Sequence, residues 1–480
     1  MTNSMYKPLI TMLLVLLYSQ AWAQFEKNYR PISFSGAIPA AVLQSAEEKT
    51  QKDLTRAEGE LSEKQSKEFY SQSNYTLKNV LLSGSVYFND ELSAYVNRLT
   101  DHLLRDNPEQ RKAVQVYVAR FSSVNAASWR DGSLFINLGL IRRMSSEAQL
   151  AFVISHEISH YFYKHNLQQF KRQKSERDGL FNFGRGSDTE RMFARLSYSR
   201  NHEYEADSAG FVMFAKAGYD LNEAILALQM LEESDNDKYP LPVDLSKYFE
   251  TEKYKLDSSY VYKPQNEKKK KKSSGEVVII DRSTLEALST HPDIENRIEA
   301  IRRIAATLDS SKVGSRFIQP ESDFRRITDI ADFELIEKLY QDTDYGRSLY
   351  ESFMLLEKYP DNEYLRVMIA KNMQWISYYK LIKSEKSVLD IDINTKNFYY
   401  NQFNKFIKSL PQDKLNKLTR GYITACISKY PKAEDLYIAE ARHVELTENI
   451  GSSKKLYQAY IDKFPNGAHQ NFAIYKTKQK

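Results

Sequence analysis

The stretch from Glu147 to Phe162, EAQLAFVISHEISHYF, contains His156-Glu157-Ile158-Ser159-His160, and its reading decides the fold. Histidines four apart share one helix face, so both imidazoles can reach a single metal ion. Glu157 lies about 100° round the helix, where a carboxylate can hold and deprotonate a water. Leu150, Phe152, Val153, Ile154, Ile158, Tyr161 and Phe162 leave almost no polar face. A helix that is apolar nearly all round is buried. Burying two histidines and a glutamate costs several kcal/mol unless they are paired or metal-bound. Ser146-x-x-Gln149 just upstream has the pattern of a capping box and marks the helix start.

A zinc site needs at least three protein ligands. Downstream, Glu203-Tyr204-Glu205-Ala206-Asp207 places Glu203 and Asp207 four apart. On a helix they share a face, so Glu203 can be the third ligand. Asp207 can accept from the distal nitrogen of a ligand histidine and fix its tautomer. The same residues also read as the solvated face of an amphipathic helix.

The ordered set is Asn125-Ala126-Ala127, Gly139-Leu140, His156-Glu157-x-x-His160, Glu203-x-x-Ala206-Asp207-x-x-Gly210, Ala217-Gly218-Tyr219-Asp220, and His291-Pro292 followed by Arg297. Over roughly residues 80 to 306 it resembles the gluzincin metallopeptidases of family M48. That family includes CAAX prenyl endopeptidases and mitochondrial Oma-type and HtpX-like proteases. In layout the chain looks closest to periplasmic BepA-type proteases with a tetratricopeptide-like C-terminal domain. The resemblance implies one Zn²⁺ per chain on His156, His160 and Glu203, with Glu157 as general base. It also brings His291 beside the site. Thr290 and Pro292 mark a helix start there, and Ile294, Ile298, Ile301 and Ile304 form its apolar stripe. His291 then reads as a fourth ligand of a latent state, as an oxyanion stabiliser, or as a plain cap-region histidine. Arg297 is a second candidate oxyanion stabiliser. His165 falls out of helical phase with His160, and His202 points away from Glu203. His102, His443 and His469 have no evident partners in the sequence.

Val114 to Phe121 alternates like a strand, and Asp131-Gly132 signals a hairpin turn. Residues 124–136, with Asn125 and Ala126 at their start, are the candidate edge for pairing with extended substrate. A covered hairpin is the other reading.

Lys7, the apolar run Leu9 to Leu17 and Ala21-Trp22-Ala23 form a signal peptide pattern, leaving Gln24 as the mature N-terminus. Export to the periplasm or beyond follows. No later stretch is apolar for the 18 residues a membrane helix needs. The single cysteine, Cys426, excludes an internal disulfide. A net charge of +5 with 27% charged residues gives no footprint for nucleic acid. Lys268 to Lys272 reads as a solvated loop or a dock for anionic lipid or an acidic partner.

With 480 residues the chain needs more than one core. The boundaries read as signal peptide 1–23, N-terminal helical segment 24–75, peptidase domain 76–306 and helical domain 307–480. Residues 45–73 read as one exposed helix, and 166–188 as a lid or a surface loop. In the last third, Lys358-Tyr359-Pro360, Lys429-Tyr430-Pro431 and Lys463-Phe464-Pro465 look like recurring helix stops. Pro431 and Pro465 are 34 residues apart, the tetratricopeptide period. Tyr437, Ala441 and Tyr457 fit that repeat, and a plain helical bundle is the other reading. The fold class expected is mainly α with a small β-sheet, a zincin-like domain followed by an all-α tetratricopeptide-like domain. The function expected is an exported zinc endopeptidase acting on misfolded or stalled envelope proteins. The helical repeats would recruit substrates or dock on an outer-membrane assembly complex. The other reading is a chaperone-like assembly factor with a latent protease site.

Overall fold

The computed structural model describes residues 25–32, 38, 44–55, 59, 61–179, 188–234, 238, 243–249, 294–308, 314–389 and 398–479. Residues 1–24, which include the signal-peptide pattern, the lysine run, Thr290, His291 and Pro292 lie outside the described residues. The chain is mainly helical with one three-stranded sheet, and it divides into two compact units. One lies within 32–234 and 271–332, the other within 1–31, 235–270 and 333–480. Among the described residues no helix is long and apolar enough to cross a membrane.

The first unit begins with helices α1 (Ala46–Thr55) and α2 (Glu63–Leu82), which pack together. The single helix expected over 45–73 is therefore two. Gly59 has φ of +71°, a left-handed conformation that a helix cannot continue through. Ser62 and Gln65 then form a reciprocal capping box that starts α2 afresh. Helix α3 (Glu91–Leu103) is capped by Asp90 and buries Leu92, Tyr95, Val96, Leu99 and Leu103 along one stripe. A single turn, α4 (Pro108–Lys112), leads into the sheet.

Strands β1 (Gln115–Ala119), β2 (Ala126–Ser128) and β3 (Ser133–Asn137) are ordered β1-β3-β2. β1 runs parallel to β3, and β2 antiparallel, joined to β3 through the Asp131-Gly132 turn. Both faces of the sheet are covered. Phe135 and Ala119 pack with Leu77 and Leu81 of α2, while Val116, Val118, Leu134 and Ile136 are fully buried. β1 contacts α3. After the short α5 (Leu138–Ile141) comes α6 (Glu147–Phe162), which packs against β2 and β3. α7 (His165–Gly179), α8 (Asp188–Lys216), α9 (Asn222–Glu232) and α10 (Ile294–Ala305) follow. Much of the stretch read as a lid or loop, 166–179, is thus helix, and 180–187 lies outside the described residues.

In the second unit the N-terminal segment is stacked among aromatic rings. Phe25 and Tyr29 are buried against Phe333, with Tyr359 beside Phe25 and Tyr364 beside Tyr29. Helices α11 (Glu321–Gln341), within which the division between units falls, α12 (Tyr345–Lys358), α13 (Glu363–Leu381), α14 (Phe398–Ser409) and α15 (Gln412–Lys429) lead to α16 (Glu434–Thr447), α17 (Ile450–Lys463) and α18 (Gln470–Lys478). Tyr359, Tyr430 and Phe464 end α12, α15 and α17 with nearly the same backbone angles. Each donates its N–H to the carbonyl four residues back, and the following proline prevents another turn. α16 and α17 are both 14 residues long and form a tight pair around Ala441, Tyr457 and Tyr460. The wider interval between Pro360 and Pro431 holds a 19-residue α13, longer than the helices of that pair.

Candidate metal centre

Helix α6 starts where the sequence marks it. Ser146 Oγ accepts from Gln149 N at 3.2 Å. Gln149 does not complete the capping box: its Oε1 accepts from Ser145 N, and its Nε2 donates to Ser145 and Glu223. Glu147, fully buried in the first turn, accepts from Tyr95 Oη at 2.5 Å, Tyr219 Oη at 2.8 Å and Ile318 N at 3.0 Å. This gives Tyr219, from the Ala217–Asp220 motif, a definite place: it helps fix the start of the helix that carries the histidines.

Helix α8 lies along α6, and Gly210 sets how closely. A Cβ at Gly210 would stand 2.9 Å from His156 Cα and from His156 N, so a side chain there would push the helices apart. The close approach brings Glu203 and Asp207 to the two histidines.

His156, His160 and Glu203 form a convergent donor set, with one atom from each lying within 4.8 Å of the others. The two Nε2 atoms are 2.9 Å apart, Glu203 Oε2 is 3.6 Å from His156 Nε2, and Glu203 Oε1 is 3.4 Å from His160 Nε2. Tetrahedral zinc with bonds of about 2.1 Å requires donor separations of about 3.4 Å. Among the described residues the set supplies three protein donors and fits that ion in chemistry and spacing. Glu157, 8% exposed, lies in the turn between the two histidines.

Behind the donors is a buried ion pair. Asp207 Oδ1 is 2.9 Å from His156 Nδ1, and Arg297 of α10 holds Asp207 at two points, Nε–Oδ2 2.5 Å and Nη2–Oδ1 2.8 Å. Arg297 Nη1 is also 3.3 Å from Glu203. Burial pushes the Asp207 carboxyl up, but Arg297 and His156 outweigh it and hold the group below its ordinary range. Glu203 is likewise held low by His160, His156 and Arg297 against burial. Burial pulls His156 down, yet the same carboxylates leave it raised overall. The expectation that Arg297 faces an oxyanion needs correcting. Its guanidinium is buried and turned onto two carboxylates, Asp207 and Glu203, behind the donor set.

His165 is the residue that sequence phase misjudged. Its Nδ1 lies 2.8 Å from His160 Nδ1 and its Nε2 3.1 Å from Glu205 Oε2. Helical phase does not carry across from His160, because α6 ends at Phe162 and Lys164 takes φ of +55° before α7 begins. Burial, His160 and His202 lower His165 to about 4 despite Glu205, so it is neutral at physiological pH. His102 and His443 find backbone carbonyls, and His469 finds Asp435.

Strand β2 lies at an edge of the sheet and packs against α6. Asn125 O accepts from Asn137 N, and Trp129 N donates to Ser133 O. In an antiparallel ladder the intervening residues 126 and 128 therefore turn their main-chain groups away from β3. Ser128 O is met by Asn166 Nδ2 at 3.1 Å.

A buried helix bearing two histidines, a carboxylate from a second helix and a neighbouring edge strand define the class: a zincin-type metallopeptidase domain. Residues 89–305 match Peptidase family M48. The beta-barrel assembly-enhancing protease of Yersinia pestis is 22% identical over 185 residues, 35% of this chain and 37% of that protein. A Vibrio cholerae protein provisionally given the same name is 25% identical over 149 residues, 27% of this chain and 31% of its own. The mitochondrial metalloendopeptidase OMA1 of Arabidopsis thaliana is 31% identical over 112 residues, 22% of this chain and 23% of that protein. The chain thus spans well under half the length of the curated relatives it matches.

Proposed function

We propose that this chain is an exported zinc-dependent endopeptidase that cleaves misfolded or stalled envelope proteins. The carrying observation is the convergence of His156, His160 and Glu203, with Glu157 in the turn between them. Bound there, zinc supplies a Lewis acid that polarises a carbonyl and lowers the pKa of a water. Glu157 takes the proton from the attacking water and passes it to the leaving amine. Asp207 and Arg297 hold His156 and Glu203 in place. An extended substrate pairs with the outward main-chain groups of Ala126, beside Asn125, which gives binding with little demand on side-chain sequence. The names of the Yersinia and Vibrio relatives support a role in β-barrel assembly. The α16–α17 hairpin, tetratricopeptide-like in period and helix length, supports recruitment of substrate or of an assembly partner. A periplasmic location fits both the N-terminal signal pattern and those relatives.

The test is hydrolysis of casein by residues 24–480, beside Glu157→Gln and a chelator-treated sample. Cleavage that disappears in both controls, with Glu157→Gln still folded and zinc-loaded, is the expected result. Cleavage that persists in Glu157→Gln would sink the mechanism. A folded, zinc-loaded wild type that leaves casein intact would favour the chaperone-like reading.

A further inference from the structure

The two histidines of the donor set are supported differently. His156 has a carboxylate, Asp207, at its Nδ1. His160 has another histidine there: its Nδ1 lies 2.8 Å from His165 Nδ1. Two imidazole nitrogens at that distance need one N–H and one lone pair between them. The chemistry of the site decides which is which. A metal ion takes the lone pair of His160 Nε2, so the neutral ring carries its proton on Nδ1 and must donate. His165 Nδ1 must then accept, which places the His165 proton on Nε2, facing Glu205 Oε2 at 3.1 Å. One arrangement of protons satisfies all three groups.

We propose that His165 is a positioning residue for the metal ligand His160, accepting from its Nδ1–H while Glu205 fixes the His165 tautomer. The inference rests on the reading of His156, His160 and Glu203 as zinc ligands. His165 is itself held rigidly. It is 4% exposed and stacks on His202, with ring centres 4.2 Å apart and planes 12° from parallel. Tyr163 stacks on it as well, at 5.7 Å and 17°. His202 is tied in turn to Gln168 Oε1 at 2.9 Å. Exchanging the two nitrogens of His165 would require turning the ring over within this stack. His165 is not a further ligand, because it meets His160 on the side of the ring opposite the donor atom.

Zinc affinity tests this without reference to catalysis. Competition with a fluorescent zinc chelator is measured for the purified chain and for His165→Leu, His165→Asn and His160→Ala. Removing the acceptor in His165→Leu should weaken zinc binding about 10- to 100-fold. His165→Asn, whose Oδ1 can stand where Nδ1 stood, should stay within about 3-fold of wild type. Zinc affinity unchanged in His165→Leu, with His160→Ala severely impaired, would overturn this inference alone. Full affinity in His160→Ala would overturn the ligand assignment and the inference with it. If His165→Leu does not fold, ¹⁵N NMR of the imidazoles in the zinc-loaded wild type decides instead. Protons on His160 Nδ1 and His165 Nε2 are expected, and a proton on His165 Nδ1 would refute the proposal.

Discussion

Arg297 shows what one residue can carry in this site and why the sequence could not reveal it. Its partner Asp207 is 90 residues away, and only the packing of α10 beside α8 brings them together. The histidine pair His156 and His160 is legible because its relation is local, four positions on one helix. Removing Arg297 leaves Asp207 buried with its charge uncompensated, which typically costs about 3–5 kcal/mol. Arg297→Met should lower stability by about that amount, and Arg297→Lys by less, since an ammonium cannot reproduce the two-point bond. Urea denaturation in a chelator measures both, and a loss under about 1 kcal/mol in Arg297→Met would contradict the reading. The pH dependence follows from the same pair. The folded-state pKa of Asp207 is depressed, so its contribution is present above the ordinary value of 3.8 and is lost as pH falls through the folded value. Asp207→Asn should therefore be less stable than wild type at pH 6, with the difference shrinking below about pH 4.

At the scale of elements, helix starts were legible and helix continuity was not. Ser146 caps α6 as its sequence pattern indicates. The 45–73 segment was misread because one glycine in a charged run is weak sequence punctuation, whereas its positive φ is a full stop. The phase of His165 was misread because Lys164, a lysine, takes the left-handed conformation usually left to glycine or asparagine. The carboxylate that anchors α6, Glu147, has no local signature in the sequence. Its donors come from α3, from Tyr219 and from residues 318–319. Glu147→Ala would bury several hydroxyl and amide donors without an acceptor, at about 1–3 kcal/mol each when fully unsatisfied. We expect Glu147→Ala to lose at least about 3 kcal/mol, and Tyr95→Phe about 1 kcal/mol. Equal losses in the two variants, read by thermal or urea unfolding, would show that Glu147 is not the hub of this network.

At the scale of the whole molecule the sequence distinguishes a region carrying the His156–His160 motif from a helical one, but it cannot show that each draws on distant segments. Phe25 and Tyr29 belong with helices of the last third, and residues 314–332 belong with the sheet-bearing unit. Aromatic contacts across more than 300 positions leave no local pattern to read. The two units differ in one testable respect. A ligand that binds the folded state stabilises it by RT ln(1 + [L]/Kd), about 4 kcal/mol when free zinc is 1,000 times Kd. The donor set lies wholly within the sheet-bearing unit. At about 2–4 °C per kcal/mol for a unit of this size, chelation should lower that unit's transition by about 10 °C. The helical unit holds none of the three donors, so its transition should stay where it is. Calorimetry of the full chain with and without a chelator, beside His156→Ala, separates the possibilities. One transition that moves and one that does not, with neither moving in His156→Ala, is the expected pattern. Transitions indifferent to chelation in the wild type would remove zinc from the folded state altogether, and the hydrolytic reading would fall with it.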